Sequence, residues 1–254
     1  MATLIRTQEG DPFVAPSMRE VPLADNREAL TFAERLFRRE FDIVILLTGV
    51  GTRYLNQVIE TRWPAGAFAE ALRKVAVIVR GPKPMAVMRE WGVPVAAIAP
   101  EPNTWRQVLE VTPDAAGKQI AVQEFGRHSQ ELVDALTERS AQVTAVPVYQ
   151  WQLPEDLGPV REAVRRIAAG EIDVILLTTG VQMDHLLRVA SEMGTADTVK
   201  NHLKRVVVAS IGPSTTEALA ELGIVPDFEP SHPKMGILVS EAAAEAQRIL
   251  QSKQ

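Results

Sequence analysis

The strongest pattern in the chain is the apolar run Phe41-Asp-Ile-Val-Ile-Leu-Leu-Thr48, which stops at Gly49-Val50-Gly51. A run of that length closed by glycine predicts a parallel strand buried on both faces. Nearly the same words return as Ile172-Asp-Val-Ile-Leu-Leu-Thr178-Thr179-Gly180-Val181. Asp42 falls on Asp173, an offset of 131 residues. At that offset, with no gap, Pro16 falls on Pro147, Leu55 on Leu186, Val58 on Val189 and Leu72 on Leu203. Gly81-Pro82 falls on Gly212-Pro213, and Glu90-Trp-Gly92 on Glu221-Leu-Gly223. The period is far longer than that of a solenoid, so it predicts an internal duplication of one domain-sized unit.

The remaining pattern supplies the elements. Helical spacing predicts helices over 2–9, 26–37, 52–59, 82–91 and 105–111, one that starts by residue 131 and runs to 139, then 156–169, 182–193, 213–222 and 235–251. Gly10 and Gly92 are stop signals, Asp25 or Asn26 caps the second helix, and Pro82 suits a first helical position. Strands are expected over 12–16, 41–48, 74–80, 93–99, 119–123, 143–148, 172–178, 205–211 and 224–228. Residues 17–25 read as an extended connector, and Phe125-Gly126-Arg127 as a turn. Alternation of strand and helix predicts an α/β fold of parallel sheets with helices on both faces.

One asymmetry interrupts the duplication. The second copy opens with residues 117–131, a strand and a helix start, whereas Met1 aligns with Leu132. The first strand of the first copy is missing. The expectation drawn is that the true start lies upstream of Met1, the alternative being a shorter first copy.

Ligands of such folds sit at the carboxyl ends of the strands. The strand ends here are Thr48-Gly-Val-Gly51, Arg80-Gly-Pro-Lys83, Thr178-Thr-Gly-Val181 and Ser210-Ile-Gly-Pro-Ser-Thr215. Each leads into a helix, so each is expected to offer backbone N–H groups and a positive dipole end to an anion. Thr48 and Thr179 serve either as helix caps or as ligand donors. Gly81-Pro82 and Gly212-Pro213 fit either a site or plain turn chemistry, and Arg53, Arg80 and Lys83 fit solvated charges equally well.

Composition narrows the chemistry. With 27 basic and 32 acidic residues and a net charge of −5, the chain lacks the basic excess of a nucleic-acid binder. It has no cysteine, which removes disulfides, thiolate metal sites and a cysteine nucleophile, and suits a cytoplasmic location. No apolar run is long enough to span a membrane. Gly49-Val-Gly51 is followed by Tyr54 where a dinucleotide fingerprint needs a third glycine. The four histidines, His128, His185, His202 and His232, lack metal-ligand spacing and are expected at the surface; His128, beside Arg127 at a strand end, is the exception that a ligand could reach. Trp63, Trp91 and Trp105 are expected to pack, and Tyr149 to lie at a strand edge.

The order and spacing of several motifs resemble the uroporphyrinogen-III synthase family. They are Ala209-Ser-Ile-Gly-Pro-Ser-Thr-Thr-Glu-Ala-Leu-Ala-Glu-Leu-Gly223, Thr178-Thr-Gly-Val181, Pro147-Val-Tyr149 and Thr48-Gly-Val-Gly-Thr52. Thr-Gly stands where the family's strand ends carry Ser-Pro types. The resemblance implies two flavodoxin-like, doubly wound domains joined by a two-stranded connector: residues 1–16 with 153–254, residues 24–146, and connectors 17–23 and 147–152. It implies cyclisation of hydroxymethylbilane, a small linear tetrapyrrole rich in carboxylates, with inversion of the last ring and loss of water. That is a hydro-lyase reaction of porphyrin biosynthesis, with no cofactor, no metal, no membrane or nucleic-acid partner, and a monomeric protein. Carried over, the substrate meets Thr48, Gly49, Val50, Gly51, Arg80, Gly81, Lys83, Thr179, Gly180, Val181, Gly212, Pro213, Ser214 and Thr215, and Tyr149 helps the hydroxyl leave. The rival class is a two-lobed module that binds an anionic small molecule without catalysis.

Overall fold

The computed structural model describes every residue except Phe125, Arg127, His128 and Gln254, so the expected turn and the singled-out His128 lie outside the described residues. The chain divides into two compact units, Glu20–Trp151 and Met1–Arg19 with Gln152–Gln254. The strands in which it passes from one to the other, β1 (Arg19–Pro22) and β7 (Tyr149–Gln152), pair as a two-stranded sheet.

The Glu20–Trp151 unit is a five-stranded parallel sheet. It contains α2 (Arg27–Phe37), β2 (Ile43–Leu46), α3 (Gly49–Glu60), α4 (Ala67–Leu72), β3 (Ala76–Val79), α5 (Pro82–Glu90), β4 (Ala97–Ile98), α6 (Trp105–Val111), β5 (Gln119–Gln123), α7 (Gln130–Glu138) and β6 (Gln142–Val146). The order across the sheet is β4-β3-β2-β5-β6. Counted from β5, it is the 2-1-3-4-5 order of flavodoxin-like folds, begun at a different strand. β2 lies in the middle, all four residues buried, in register with Ala76–Val79 on one side and Ile120–Gln123 on the other. Its alternate side chains feed two cores. Val44 and Leu46 meet Phe32, Leu55, Phe68 and Met88, while Ile43 and Ile45 meet Val108, Ile120, Leu132 and Leu136. This two-sided burial is why the run reads as continuously apolar rather than alternating.

The other unit contains α1 (Ala2–Thr7), α8 (Gly158–Ala168), β8 (Val174–Leu177), α9 (Gly180–Glu192), α10 (Ala196–Leu203), β9 (Val207–Ser210), α11 (Pro213–Glu221) and α12 (Met235–Ser252). β8 and β9 form a parallel pair, and an isolated bridge joins Ala209 to Phe228. At the 131-residue offset these repeat β2, β3 and the Ile78–Ala97 pairing of β3 with β4. The end of α12 is tied down where Lys253 Nζ reaches Asp227 Oδ2 (2.5 Å) and the Val206 carbonyl (2.6 Å).

Several expected elements differ. Residues 12–16 form no strand; their counterpart β6 pairs only with β5, and nothing among the described residues plays the part of β5 for them. The strand expected over 93–99 shrinks to β4, and that over 224–228 to the bridge at Phe228, since both lie at sheet edges. α3 and α9 begin at the glycines, earlier than expected, because Thr48 and Thr179 act as their N-caps. α4 and α10 were not expected from spacing at all; each is short and buries two or three residues.

Candidate functional site

In a 2-1-3-4-5 sheet the ligand crevice opens where the strand order reverses, here at the carboxyl ends of β5 and β2. Gln123 ends β5 and Thr48 follows β2. The Thr48 N–H donates to Gln123 Oε1 (3.2 Å), which ties the two strand ends together. The Thr48 side chain caps α3, its Oγ1 accepting from the Gly51 N–H (3.0 Å), while Thr52 Oγ1 donates to the Thr48 carbonyl (2.7 Å). Among the described residues the N–H groups of Gly49 and Val50 have no acceptor, as befits the first turn of a helix. A buried carboxylate, Glu124, follows at the end of β5 and accepts from the Ser129 N–H (2.9 Å).

Tyr149 and Arg80 converge on this point. Tyr149 is only 4% exposed. Burial pushes its phenol above the usual value; a hydrogen bond with the Thr48 side chain pulls it down, Glu20 pushes it up, the nearby Arg80 cation lowers it and Tyr54 raises it. Burial in turn pushes the Arg80 guanidinium down to about 10, against an upward pull from Tyr149, so it remains a cation at neutral pH in a partly desolvated place. The Tyr149 ring packs against Tyr54 (centroids 5.9 Å apart) and edge-on to Trp151 (6.4 Å). One corner of this unit thus holds a neutral phenol, a hydroxyl, a cation and two open N–H groups.

Gly49 and Gly51, in contrast, are buried. A Cβ on Gly49 would stand 2.9 Å from the Lys83 carbonyl of α5, and one on Gly51 would collide with the Gln123 side chain. Gly180 repeats the first case, where a Cβ would lie 2.3 Å from the Ala218 Cβ of α11. Ala218 is the counterpart of Val87 beside Gly49, so each glycine lets two helices approach. Burial thus gives these glycines a packing role at the same helix starts. The α5 start also offers less than expected, because Pro82 and Pro84 carry no N–H. Gly81 is buried against Asn103, whereas Val50 and Lys83 are exposed.

In the other unit, Gln182 Oε1 reaches back to the N–H groups of Thr178 (2.8 Å) and Thr179 (3.3 Å), leaving Gly180 and Val181 at the start of α9. Gly212 and Pro213 open α11; Ser214 is exposed and Thr215 is buried. A hydroxyl chain sits there instead: Ser210 Oγ meets Thr216 Oγ1 (2.5 Å), which donates to Glu229 Oε2 (2.5 Å).

The structure therefore gathers Thr48, Gly49, Val50, Gly51, Arg80 and Tyr149 in one unit, with Gly81 and Lys83 on the next strand end, and Thr179, Gly180, Val181, Gly212, Pro213, Ser214 and Thr215 at two strand ends of the other. Sequence reasoning missed Gln123 and Glu124, although two polar residues closing the apolar Ile120-Ala-Val122 are a legible sign. It also stopped one residue short of Thr216. His185 is no surface histidine: it is 6% exposed, and its Nδ1 lies 2.7 Å from the Ser17 carbonyl. No group of metal-binding side chains occurs among the described residues. A cavity of about 300 Å³ lies at the opposite, amino-terminal end of the strands, lined by residues that include Phe37, Phe41, Trp63 and Val75, away from this corner.

Fold and site together define a duplicated α/β protein whose polar groups gather at strand ends around one buried phenol. Comparison with known proteins then places it. Residues 1–240 match the family described as uroporphyrinogen-III synthase HemD, and the chain belongs to that family. Among its relatives, the Bacillus subtilis (strain 168) protein YjjA, described as uncharacterized, is 29% identical over 248 residues, covering 96% of this chain and 90% of that protein. A putative uroporphyrinogen-III synthase from Methanothermobacter thermautotrophicus is 29% identical over 226 residues, covering 87% and 84% of the two chains. The fold resembles a mutant uroporphyrinogen III synthase from the extremely thermophilic bacterium Thermus thermophilus, at TM-score 0.68, 21% identity and 99% and 94% coverage. It also resembles the Helicobacter pylori 26695 enzyme, at TM-score 0.55, 12% identity and 90% coverage of each chain.

Proposed function

We propose that this protein is a cyclising hydro-lyase that closes hydroxymethylbilane to uroporphyrinogen III. The observation that carries the proposal is the Thr48–Arg80–Tyr149 corner at the switch point of a chain belonging to this family. The reaction removes one water and inverts the last pyrrole ring. It needs no redox partner, and its difficulty lies in posture. Once the hydroxyl has left, the azafulvene end closes on its own in the wrong sense. The protein has to hold the chain so that the bond forms at the substituted carbon of the last ring, through a spiro intermediate. Holding reacting ends in place supplies several kcal/mol of such a barrier.

Each residue of the corner has a part. Tyr149, a phenol that burial holds above its usual value, is protonated at neutral pH and can give its proton to the departing hydroxyl, which leaves as water. The proton that the substituted ring finally sheds restores it. Arg80, close by, favours the brief phenolate and attracts a substrate carboxylate. Its partial desolvation makes an incoming anion more welcome than it would be at an exposed arginine. The open Gly49 and Val50 N–H groups take further carboxylates. With a net charge of −5 the protein does not draw a polyanion from afar, so these local groups do the attracting. A cytoplasmic, monomeric, cofactor-free protein goes with this proposal.

Adding the protein to freshly prepared hydroxymethylbilane and separating the product isomers tests it. The type III isomer is expected; type I alone, at the rate of the protein-free reaction, leaves only a binding role.

A further inference from the structure

The cavity at the amino-terminal end of the strands has no part in the reaction proposed above, and the duplication shows how it arises. It is lined from the end of α2, the approach to β2, and α4, and has a volume of about 300 Å³. At the 131-residue offset its aromatic lining has no aromatic counterpart: Phe37, Phe41 and Trp63 fall on Ala168, Ile172 and Gly194. Ala71 falls on His202, and Arg39 on Gly170. In that copy the His202 ring takes up the space, standing 3.5 Å from where a Gly170 Cβ would lie. In this copy Ala71 is too small to do so, and the gap stays open.

Walls and rim differ in chemistry. Phe37 and Trp63 pack tilted, ring centroids 5.0 Å apart, and both stay half-buried although large and apolar. Phe41 carries the Arg35 guanidinium over its ring at 4.4 Å, and Glu40 Oε2 holds that cation at 3.0 Å. The acid in the lining, Glu70, is held by Arg73. Arg39 and Lys74, the two cations in the lining, make no ion pair or side-chain hydrogen bond among the described residues. Arg39 also keeps φ at 61°, the left-handed backbone that Gly170 (φ 74°) adopts in the other copy. A long cation thus stands where glycine would be less strained.

We propose that this cavity is a second ligand site, for a two-ring aromatic compound that carries one carboxylate. Size sets the rings: an apolar cavity of about 150 Å³ holds one benzene, so about twice that volume takes two rings and excludes a tetrapyrrole. The walls of Phe37, Phe41 and Trp63 meet ring faces and edges. Charge sets the head group. Arg39 and Lys74 draw an anion to the rim, and Glu70, neutralised by Arg73, does not repel it. A second charge would have to enter the apolar interior, which disfavours it. The site lies at the other end of the strands from Thr48, so its ligand is not the substrate of the Thr48–Arg80–Tyr149 corner.

Titration of the 254-residue chain with 2-naphthoate, followed through amide and side-chain resonances, tests the proposal. Saturable shifts at Phe37, Phe41 and the Trp63 indole are expected, with a Kd of about 1 mM or tighter and with Thr48, Gly49 and Arg80 unmoved. 2-Naphthylmethanol keeps the rings and drops the charge; it should bind about 5-fold more weakly. Arg39→Gly combined with Lys74→Gln should erase that difference and leave the affinity for the alcohol as it was. Ala71→His, which installs the side chain of the other copy, should abolish binding of both compounds, and Ala71→Met serves if histidine prevents folding. The proposal is overturned by the lack of a saturable shift up to about 10 mM, by shifts centred on the strand ends, or by equal binding of acid and alcohol to the parent chain. Undiminished binding to a folded chain with residue 71 enlarged overturns it as well.

Discussion

Gly180→Ala separates a packing glycine from a ligand-binding one. The added methyl would lie 2.3 Å from the Ala218 Cβ. Carbon atoms sit comfortably at about 3.5–4.0 Å, so α9 and α11 must part by well over an ångström or tilt. Overpacking of this kind costs about 1–3 kcal/mol. The cost falls on a unit of little over a hundred residues, for which each kcal/mol moves the thermal midpoint by roughly 4 °C or more. Ala218→Gly alone costs about 1 kcal/mol through helix propensity. Because it also removes the colliding carbon, the double variant should be no worse than Ala218→Gly, a coupling of about 1–3 kcal/mol in a denaturation cycle. Gly236→Ala is the control: nothing lies within 4 Å of its added carbon, and it should be neutral or slightly stabilising. A Gly180→Ala protein of unchanged stability, or a cycle with no coupling, refutes the packing role and returns this glycine to the ligand.

Four other outcomes are expected. Tyr149→Phe should slow formation of the type III isomer by up to about 10²-fold with little change in substrate affinity, measured in single turnovers; undiminished turnover removes the phenol from the reaction. Thr48→Ala should destabilise by about 1 kcal/mol through loss of the α3 cap, and the freed phenol should titrate higher still, seen as a later rise in phenolate absorbance. The folded pKa of Tyr149 lies above its ordinary 10.0, so its contribution to stability is complete below pH 10 and is lost as pH rises through the folded value. Urea denaturation at increasing alkaline pH should show that loss in the parent and less of it in Tyr149→Phe. Arg80→Gln should weaken tetrapyrrole binding more than Arg53→Gln, because Arg80 lies beside Tyr149 in the candidate corner while Arg53 sits in an exposed surface pair with Glu90.

The duplication was the most legible feature, since buried parallel strands leave continuous apolar words that repeat in register. It located β2, β3, β8 and β9 and their order of helices. Edge strands were poorly legible, because what makes residues 97–98 or 228 pair is their neighbour and not their own composition. Residues 12–16 show the limit most clearly: their sequence suits a strand, and the absence of a pairing partner among the described residues decides otherwise. At the site, Thr48, Arg80 and Tyr149 could each be named, yet their convergence depends on β7 returning beside the end of β2, over a hundred residues apart in sequence. The packing role of Gly49 and Gly180 was not legible, because a helix contact and an anion site call for the same small residue.

The central claim is that a carboxylated tetrapyrrole sits at the strand ends around Thr48, Arg80 and Tyr149. Amide resonances followed during anaerobic titration with uroporphyrinogen III test it most directly. Large shifts at Thr48, Gly49, Val50 and Arg80, with Phe37, Trp63 and Val75 unmoved, are the predicted result. Shifts concentrated around the cavity lined by Phe37 and Trp63, with the strand ends silent, would contradict it.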